Sequence, residues 1–153
     1  MVGRLAQWAT APEQADLWTA RPVKGELGIV VVPESQIFCY AQQGSTDFYA
    51  QSARGAYQGF FHAGIQPDWV LLDHIDEYAV LYLPFPAMLP ASVAERLRGW
   101  VERGGTLISE GCPGYFGDRG HVGTVQPSHG LDELFGAREA HVEFTPDLLG
   151  ELT

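Results

Sequence analysis

Positive charge is scarce in this chain. Nine Lys and Arg residues stand against 19 Asp and Glu, so the formal net charge is −10 over 153 residues. Nucleic acids and anionic membrane surfaces attract proteins through a positive electrostatic field. The composition therefore argues against both as partners.

Cysteine is also rare, and long apolar runs are missing. Cys39 and Cys112 are too few for a disulfide framework, which favours a reducing, cytoplasmic setting. The longest apolar stretch, residues 79–91, is interrupted by three prolines, and no run reaches the roughly 18 residues of a transmembrane helix. The N-terminus lacks the apolar core of a signal peptide.

Signatures of metal and cofactor binding are missing as well. The five histidines are scattered, and the two cysteines lie far apart, so no metal-ligand spacing occurs. The glycine-rich stretch 111–123 matches neither a phosphate-binding loop nor a dinucleotide fingerprint, and no helical pattern follows it. The sequence predicts neither a metal nor a cofactor.

The chain does contain apolar, β-branched runs that alternate with amphipathic segments. With 46% hydrophobic and 18% charged residues, it has the composition of a folded domain. The order strand, helix, strand, strand, helix, strand predicts an α/β three-layer sandwich with a mainly parallel sheet, flavodoxin-like or closely related. The predicted strands are 28–32, 68–73, 78–83 and 106–109, and the predicted helices are 45–62 and 90–103.

The two ends of the chain follow other patterns. Residues 1–27 carry only a weak helical pattern and a Pro- and Gly-containing linker, which indicates the tail of a preceding element. Residues 110–130 contain six glycines and predict a long irregular loop. A short helical turn at 131–135 and an edge strand at 141–144 are expected after it.

A thiol follows the fourth predicted strand, at the sheet edge where α/β proteins bind ligands. Cys112-x-Gly114 resembles part of the Gly-x-Cys-x-Gly elbow of class I glutamine amidotransferases, with Glu110 in place of the first glycine. His141-x-Glu143 could supply a histidine oriented by a carboxylate. One hypothesis is thus a thiol enzyme using Cys112, His141 and Glu143. In the other, Cys112 is a loop thiol and His141 and Glu143 are surface residues.

Aromatic residues cluster around the predicted strand ends. Phe85, Tyr115 and Phe116 lie in predicted loops, where large apolar groups either meet a partner surface or fold back onto their own domain. A further hypothesis is a small sugar-binding module that uses Trp69, Phe85 and Tyr115.

Several ordered motifs resemble a known family. The runs 82–90 and 97–110, the loop 111–120 and the segment 130–136 together are similar to the trimerisation domain of family-42 β-galactosidases. The similarity covers roughly residues 27–150. It implies an amidotransferase-like α/β sandwich without amidotransferase chemistry, in an enzyme whose preceding (β/α)₈ barrel carries the two catalytic glutamates.

The resemblance also implies partners and boundaries. Residues 1–27 would be the end of the barrel and a connector, and residues 28–150 would form the trimerisation domain. Such a domain assembles a homotrimer and helps to form the wall of the active site. A galactoside substrate would therefore be a partner only through the full-length parent enzyme. A three-fold contact is expected on the strand-end loops 85–89 and 115–123. The candidate interface residues are Phe85, Met88, Leu89, Tyr115, Phe116, Arg119 and His121.

Overall fold

A computed structural model of the protein describes residues 2–141. The strands are β1 (Leu27–Val30), β2 (Pro67–Val70), β3 (Val80–Leu83) and β4 (Thr106–Ser109). The helices are α1 (Val2–Ala9), α2 (Ala15–Thr19), α3 (Pro33–Gln43), α4 (Asp47–His62), α5 (Ala91–Glu102) and α6 (Leu131–Phe135).

The four strands form one parallel sheet in the order β2-β1-β3-β4. This is the strand order of the first part of a flavodoxin-like sheet. In register, Tyr82 of β3 lies between Ile29 of β1 and Ile108 of β4. The predicted α/β class and parallel sheet are confirmed.

Helices cover both faces of the sheet. Alternation along β1 sends Val30 to one face and Ile29 to the other. The Val30 face packs against α5 and builds the main core. The Ile29 face lies against α4, where the Phe60 ring meets the Tyr82 ring edge-on with centroids 5.3 Å apart. The three-layer arrangement follows from these two contacts.

Helix α5 begins and ends where the sequence predicted. Pro90 occupies the N-cap position, where its missing N–H has no partner to lose, and Gly104 after the helix takes a φ of 100°. Val93, Leu97 and Trp100 are buried on one face of the helix. These three side chains anchor α5 to the sheet and its surroundings.

Helix α3 (Pro33–Gln43) was not predicted, since the sequence pattern placed no helix between the first strand and residue 45. Pro33 starts the helix, and Gly44 ends it in the left-handed conformation with φ 71°. Its buried residues are Ser35 and Cys39, while Ile37 and Tyr40 face outward. Because the apolar residues lie on the outer face, the sequence lacks the usual amphipathic pattern.

The remaining expectations have mixed outcomes. The short helix α6 lies where a helical turn was predicted, and residues 110–130 are largely irregular, with one short 3₁₀ turn (Asp118–Gly120). Of the predicted edge strand only His141 is described, outside any strand, and residues 142–144 lie beyond the described part. Among the described helices, none has the length and apolarity to cross a bilayer.

Candidate functional site

Two loops meet at the carboxyl end of the sheet, and we call residues 84–89 and 110–117 the strand-end loops. The backbone N–H of Phe116 donates to the carbonyl of Ala87 at 2.9 Å, and the N–H of Leu89 donates to the carbonyl of Phe116 at 2.9 Å. The two loops are therefore joined in a short parallel pairing that continues beyond β3 and β4. Such pairing fixes the loops relative to each other.

Helix α3 holds the first strand-end loop through a buried serine. The hydroxyl of Ser35 donates to the carbonyl of Met88 at 2.7 Å, and it accepts the N–H of Met88 at 3.2 Å. Ser35 is fully buried. Both backbone groups of Met88 are thus satisfied by one side chain of α3, which ties the loop to the helix.

The carboxylate of Glu110 is the polar centre of the site. Its Oε2 accepts the Ser52 hydroxyl at 2.6 Å and the backbone N–H of Phe85 at 2.9 Å, and its Oε1 accepts the Tyr82 hydroxyl at 3.0 Å. The donors come from α4, β3 and a strand-end loop. Hydrogen bonds to an ionised acceptor are roughly twice as strong as neutral ones. Glu110 therefore joins three elements at the carboxyl edge of the sheet.

Glu110 affects the backbone of Phe85 and the pKa of Tyr82. Phe85 has a φ of 40°, a region that side-chain-bearing residues rarely adopt, and its N–H is held by the carboxylate. Burial, followed by the nearby charge and the hydrogen bond of Glu110, raises the pKa of Tyr82 to about 12. Tyr82 thus stays a neutral donor at physiological pH, and the strained Phe85 backbone is kept in place.

The structure brings most of the predicted interface residues together. Phe116 stacks in a tilted arrangement on Phe38 of α3, with ring centroids 4.3 Å apart, and Tyr115 meets Phe116 edge-on at 5.1 Å. Phe85 packs edge-on against Tyr49 at 6.3 Å. Half-exposed rings therefore line the strand-end loops. Met88 is half-buried beside them, and Arg119 and His121 are exposed in the turn that follows.

Leu89 stands apart from the other candidates. Its side chain is fully buried and belongs to the main core with Leu83 and Leu131. In this conformation it contributes to domain stability and presents no surface to a partner.

Cys112 lies in the second strand-end loop, with a φ of 62°. Its N–H donates to Oε1 of Glu139 at 2.7 Å. Burial, and then the negative charge of Glu139, raise the pKa of the Cys112 thiol above its ordinary value. Since the thiolate is the nucleophilic form, this environment disfavours the chemistry of the thiol-enzyme hypothesis.

We expect Cys112 to react with iodoacetamide more slowly at neutral pH than a free thiol does. The raised pKa leaves less thiolate, so the rate should climb as pH rises towards that pKa. Mass spectrometry of the labelled chain measures the rate. The Cys112→Ser variant keeps only the buried Cys39 and therefore gives the background rate to be subtracted. A reaction faster than that of a free thiol, abolished by His141→Ala, would instead support a thiol enzyme.

The roles of His141 and Glu143 in the thiol-enzyme hypothesis remain predictions. His141 is exposed at the end of the described part, and Glu143 lies outside it. Trp69, from the sugar-binding hypothesis, is on the edge strand β2 beside Tyr57, whereas Phe85 and Tyr115 are in the strand-end loops. Across residues 2–141, no group of three or more His, Cys, Asp and Glu side chains is placed to hold a metal ion.

Sequence reasoning did not identify the residues that hold the loops. Ser35 and Ser52 lie on helices, and their partners are 53 and 58 positions away. A serine on a helix gives no signal of such a contact. For Glu110 the signal was a carboxylate in a position where the amidotransferase elbow has glycine.

A known family model matches most of the chain. The family model described as "Beta-galactosidase trimerisation domain" matches residues 7–148. None of the curated proteins matches the sequence significantly.

Solved β-galactosidases share the fold. The enzyme from Bifidobacterium adolescentis is 22% identical, with a TM-score of 0.70 over 80% of this chain and 59% of that one. A catalytic mutant of a family-42 enzyme from G. stearothermophilus is 21% identical, with a TM-score of 0.75 over 89% of this chain and 20% of that one. The enzyme from Marinomonas ef1 is 19% identical, with a TM-score of 0.72 over 96% of this chain and 22% of that one.

These identities support the shared fold, and the present chain spans 59% of the first of these enzymes and about a fifth of the other two. The family model, in contrast, covers nearly the whole sequence, including both strand-end loops and α3. The chain belongs to the β-galactosidase trimerisation-domain family.

Proposed function

We propose that this chain assembles a β-galactosidase into a homotrimer and has no bond-breaking role of its own. The observation that carries the proposal is the pair of strand-end loops, which are fixed by Glu110 and Ser35 and lined by half-exposed aromatic rings. Rigid aromatic surfaces suit protein contacts because little conformational entropy is lost when they are covered. Arg119 and His121 extend this surface with exposed polar groups.

The proposed division of labour assigns hydrolysis to a preceding (β/α)₈ barrel. Galactoside would be bound there, and the strand-end loops would help to wall that site in the assembled enzyme. We place the enzyme in the cytoplasm, because two free cysteines suit a reducing compartment. The net charge of −10 supports a protein partner over nucleic acid or membrane.

The N-terminal segment fits the same division. We propose that residues 1–27 are the tail of the barrel and its connector, and that residues 28–150 are the trimerisation domain. Leu5 and Trp8 of α1, and Leu17 and Trp18 of α2, are all more than half exposed. Apolar side chains in such number are suited to contact with a neighbouring domain.

The proposal predicts that the chain self-associates to trimers with rising concentration. Sedimentation velocity measures this, and Arg119→Glu should shift the equilibrium towards monomer because it reverses a charge in the proposed interface. Arg4→Glu, an equally exposed change on α1, serves as the control and should leave the equilibrium unchanged. A chain that stays monomeric throughout would contradict self-association.

A further inference from the structure

Helix α3 presents its apolar side chains to solvent. Ile37 and Tyr40 are 67% and 61% exposed, whereas the inward positions are Ser35 and Cys39. Exposed large apolar groups on the outer face of a helix indicate a surface that a partner covers. The residues on the two sides of the helix indicate which kind of partner fits this surface.

One flank of α3 borders a groove of about 380 Å³, which we call the aromatic groove. Trp69 in its wall is 51% exposed, and its ring stacks on Tyr57 at 5.6 Å and 8°. Tyr57 stacks in turn on Phe61 at 6.2 Å and 10°. Gln36 of α3 and Arg54 of α4 contribute the polar lining. The groove is thus an aromatic surface with a cation on its lining.

The opposite flank carries the second strand-end loop. Gln36 and Phe38 are two positions apart on a helix, about 200° around its axis, so they point to opposite sides. Phe38 stacks on Phe116, and Val122 pairs with Phe116 on the far side. Val122 is 52% exposed. We call this surface, Phe116 to Val122, the Val122 flank.

We infer that each protomer forms a wedge with α3 at the three-fold axis, and that the aromatic groove of one copy receives the Val122 flank of the next. This rests on the proposed function. A closed three-fold ring needs a heterologous contact, in which two different surfaces of the chain meet. The two flanks of α3 are such a pair, and Ile37 and Tyr40 between them are covered at the axis.

Charge and continuity support a second copy as the occupant of the groove. Within residues 2–141, no carboxylate is within ion-pair distance of Arg54, although the chain carries a net charge of −10. Asp118, exposed on the Val122 flank, accepts the backbone N–H of Ala91 at 3.3 Å through Oδ2, and its negative charge complements the positive charge of Arg54. Tyr49 lines the groove and also packs against Phe85, so the groove continues into the strand-end loops.

Mixing two variants tests the heterologous contact. The groove variant combines Trp69→Ala with Arg54→Glu, and the loop variant is Val122→Glu. Each variant alone should be monomeric, because every contact then includes one damaged surface. An equimolar mixture should give heterodimers and no trimers, because one intact groove meets one intact flank and the ring cannot close. Sedimentation velocity distinguishes the species.

The controls separate misfolding from lost contact. The circular dichroism spectrum and melting temperature of each variant should match those of the wild type, which shows that the variants are folded. Arg54→Glu alone changes an exposed side chain and should already weaken self-association. Leu17→Ala, an exposed apolar change on α2, should leave trimers intact.

Each other outcome has a defined meaning. Trimers in both variants would overturn the inference and leave the proposed function standing, whereas a monomeric wild type would contradict the proposed function itself. If galactose quenches Trp69 fluorescence while assembly of the variants is unchanged, the groove is a sugar site and the inference is wrong.

Discussion

Replacing Glu110 with alanine should lower the free energy of unfolding by about 2–4 kcal/mol, since hydrogen bonds to charged groups contribute about 1.5–3 kcal/mol each and the site is half-buried. The substitution leaves Ser52, Tyr82 and the N–H of Phe85 without their acceptor. Phe85 also loses the contact that holds its unusual backbone conformation. Urea denaturation followed by circular dichroism measures the loss.

Two variants calibrate this result. Glu110→Gln keeps one acceptor oxygen but turns the other position into a donor, so we expect a smaller loss of about 1 kcal/mol. Glu95→Ala removes an exposed carboxylate from α5 and should have little effect. If Glu110→Ala is no more harmful than Glu95→Ala, Glu110 does not hold the strand-end loops. Loss of stability without loss of trimers would separate its role in folding from assembly.

Replacing Leu97 with alanine should lower the free energy of unfolding by about 3–5 kcal/mol, the upper range for leucine-to-alanine changes in protein cores. Leu97 is 0% exposed and lies in the centre of the core between α5 and the sheet. The loss combines the transfer free energy of the removed atoms with the cavity that remains. Thermal and urea denaturation measure it.

The exposed Leu17→Ala on α2 is the matched control, because the chemical change is the same and the side chain is already in water. We expect that variant to unfold within about 0.5 kcal/mol of the wild type. Equal losses at both positions would contradict the assignment of the core. A domain of this size has a total stability of roughly 5–15 kcal/mol, so Leu97→Ala removes a large share of it.

The sheet and α5 were predictable because their signals are local. Strand β1 has a β-branched apolar run, and α5 has an apolar stripe of Val93, Leu97 and Trp100. Each pattern identifies a surface that is buried in the folded domain. Pro90 and Gly104 mark the ends of α5 in the sequence itself. These features depend on neighbouring residues, and tertiary contacts reinforce them.

Helix α3 and the Glu110 contacts were not predictable for the opposite reason. The inward face of α3 is built from Ser35 and Cys39, so hydrophobic periodicity gives no helix signal. Glu110 finds its donors in α4, β3 and the loop after β3, elements that become neighbours only when the sheet forms. Side-chain hydrogen bonds between distant segments produce no recognisable residue spacing in the sequence.

The central position of β1 has a consequence for biosynthesis. Of the four strands of this sheet, β1 leaves the ribosome first, yet its partners on either side are β2 and β3, which begin at Pro67 and Val80. Until those residues emerge, the nascent chain displays its most apolar strand with two bare hydrogen-bonding edges. Such edges are templates for wrong pairing. Helix α4, which packs against β1 and precedes β2 in the chain, can cover one apolar face of the strand during this interval, whereas its edges stay open until β2 and β3 emerge.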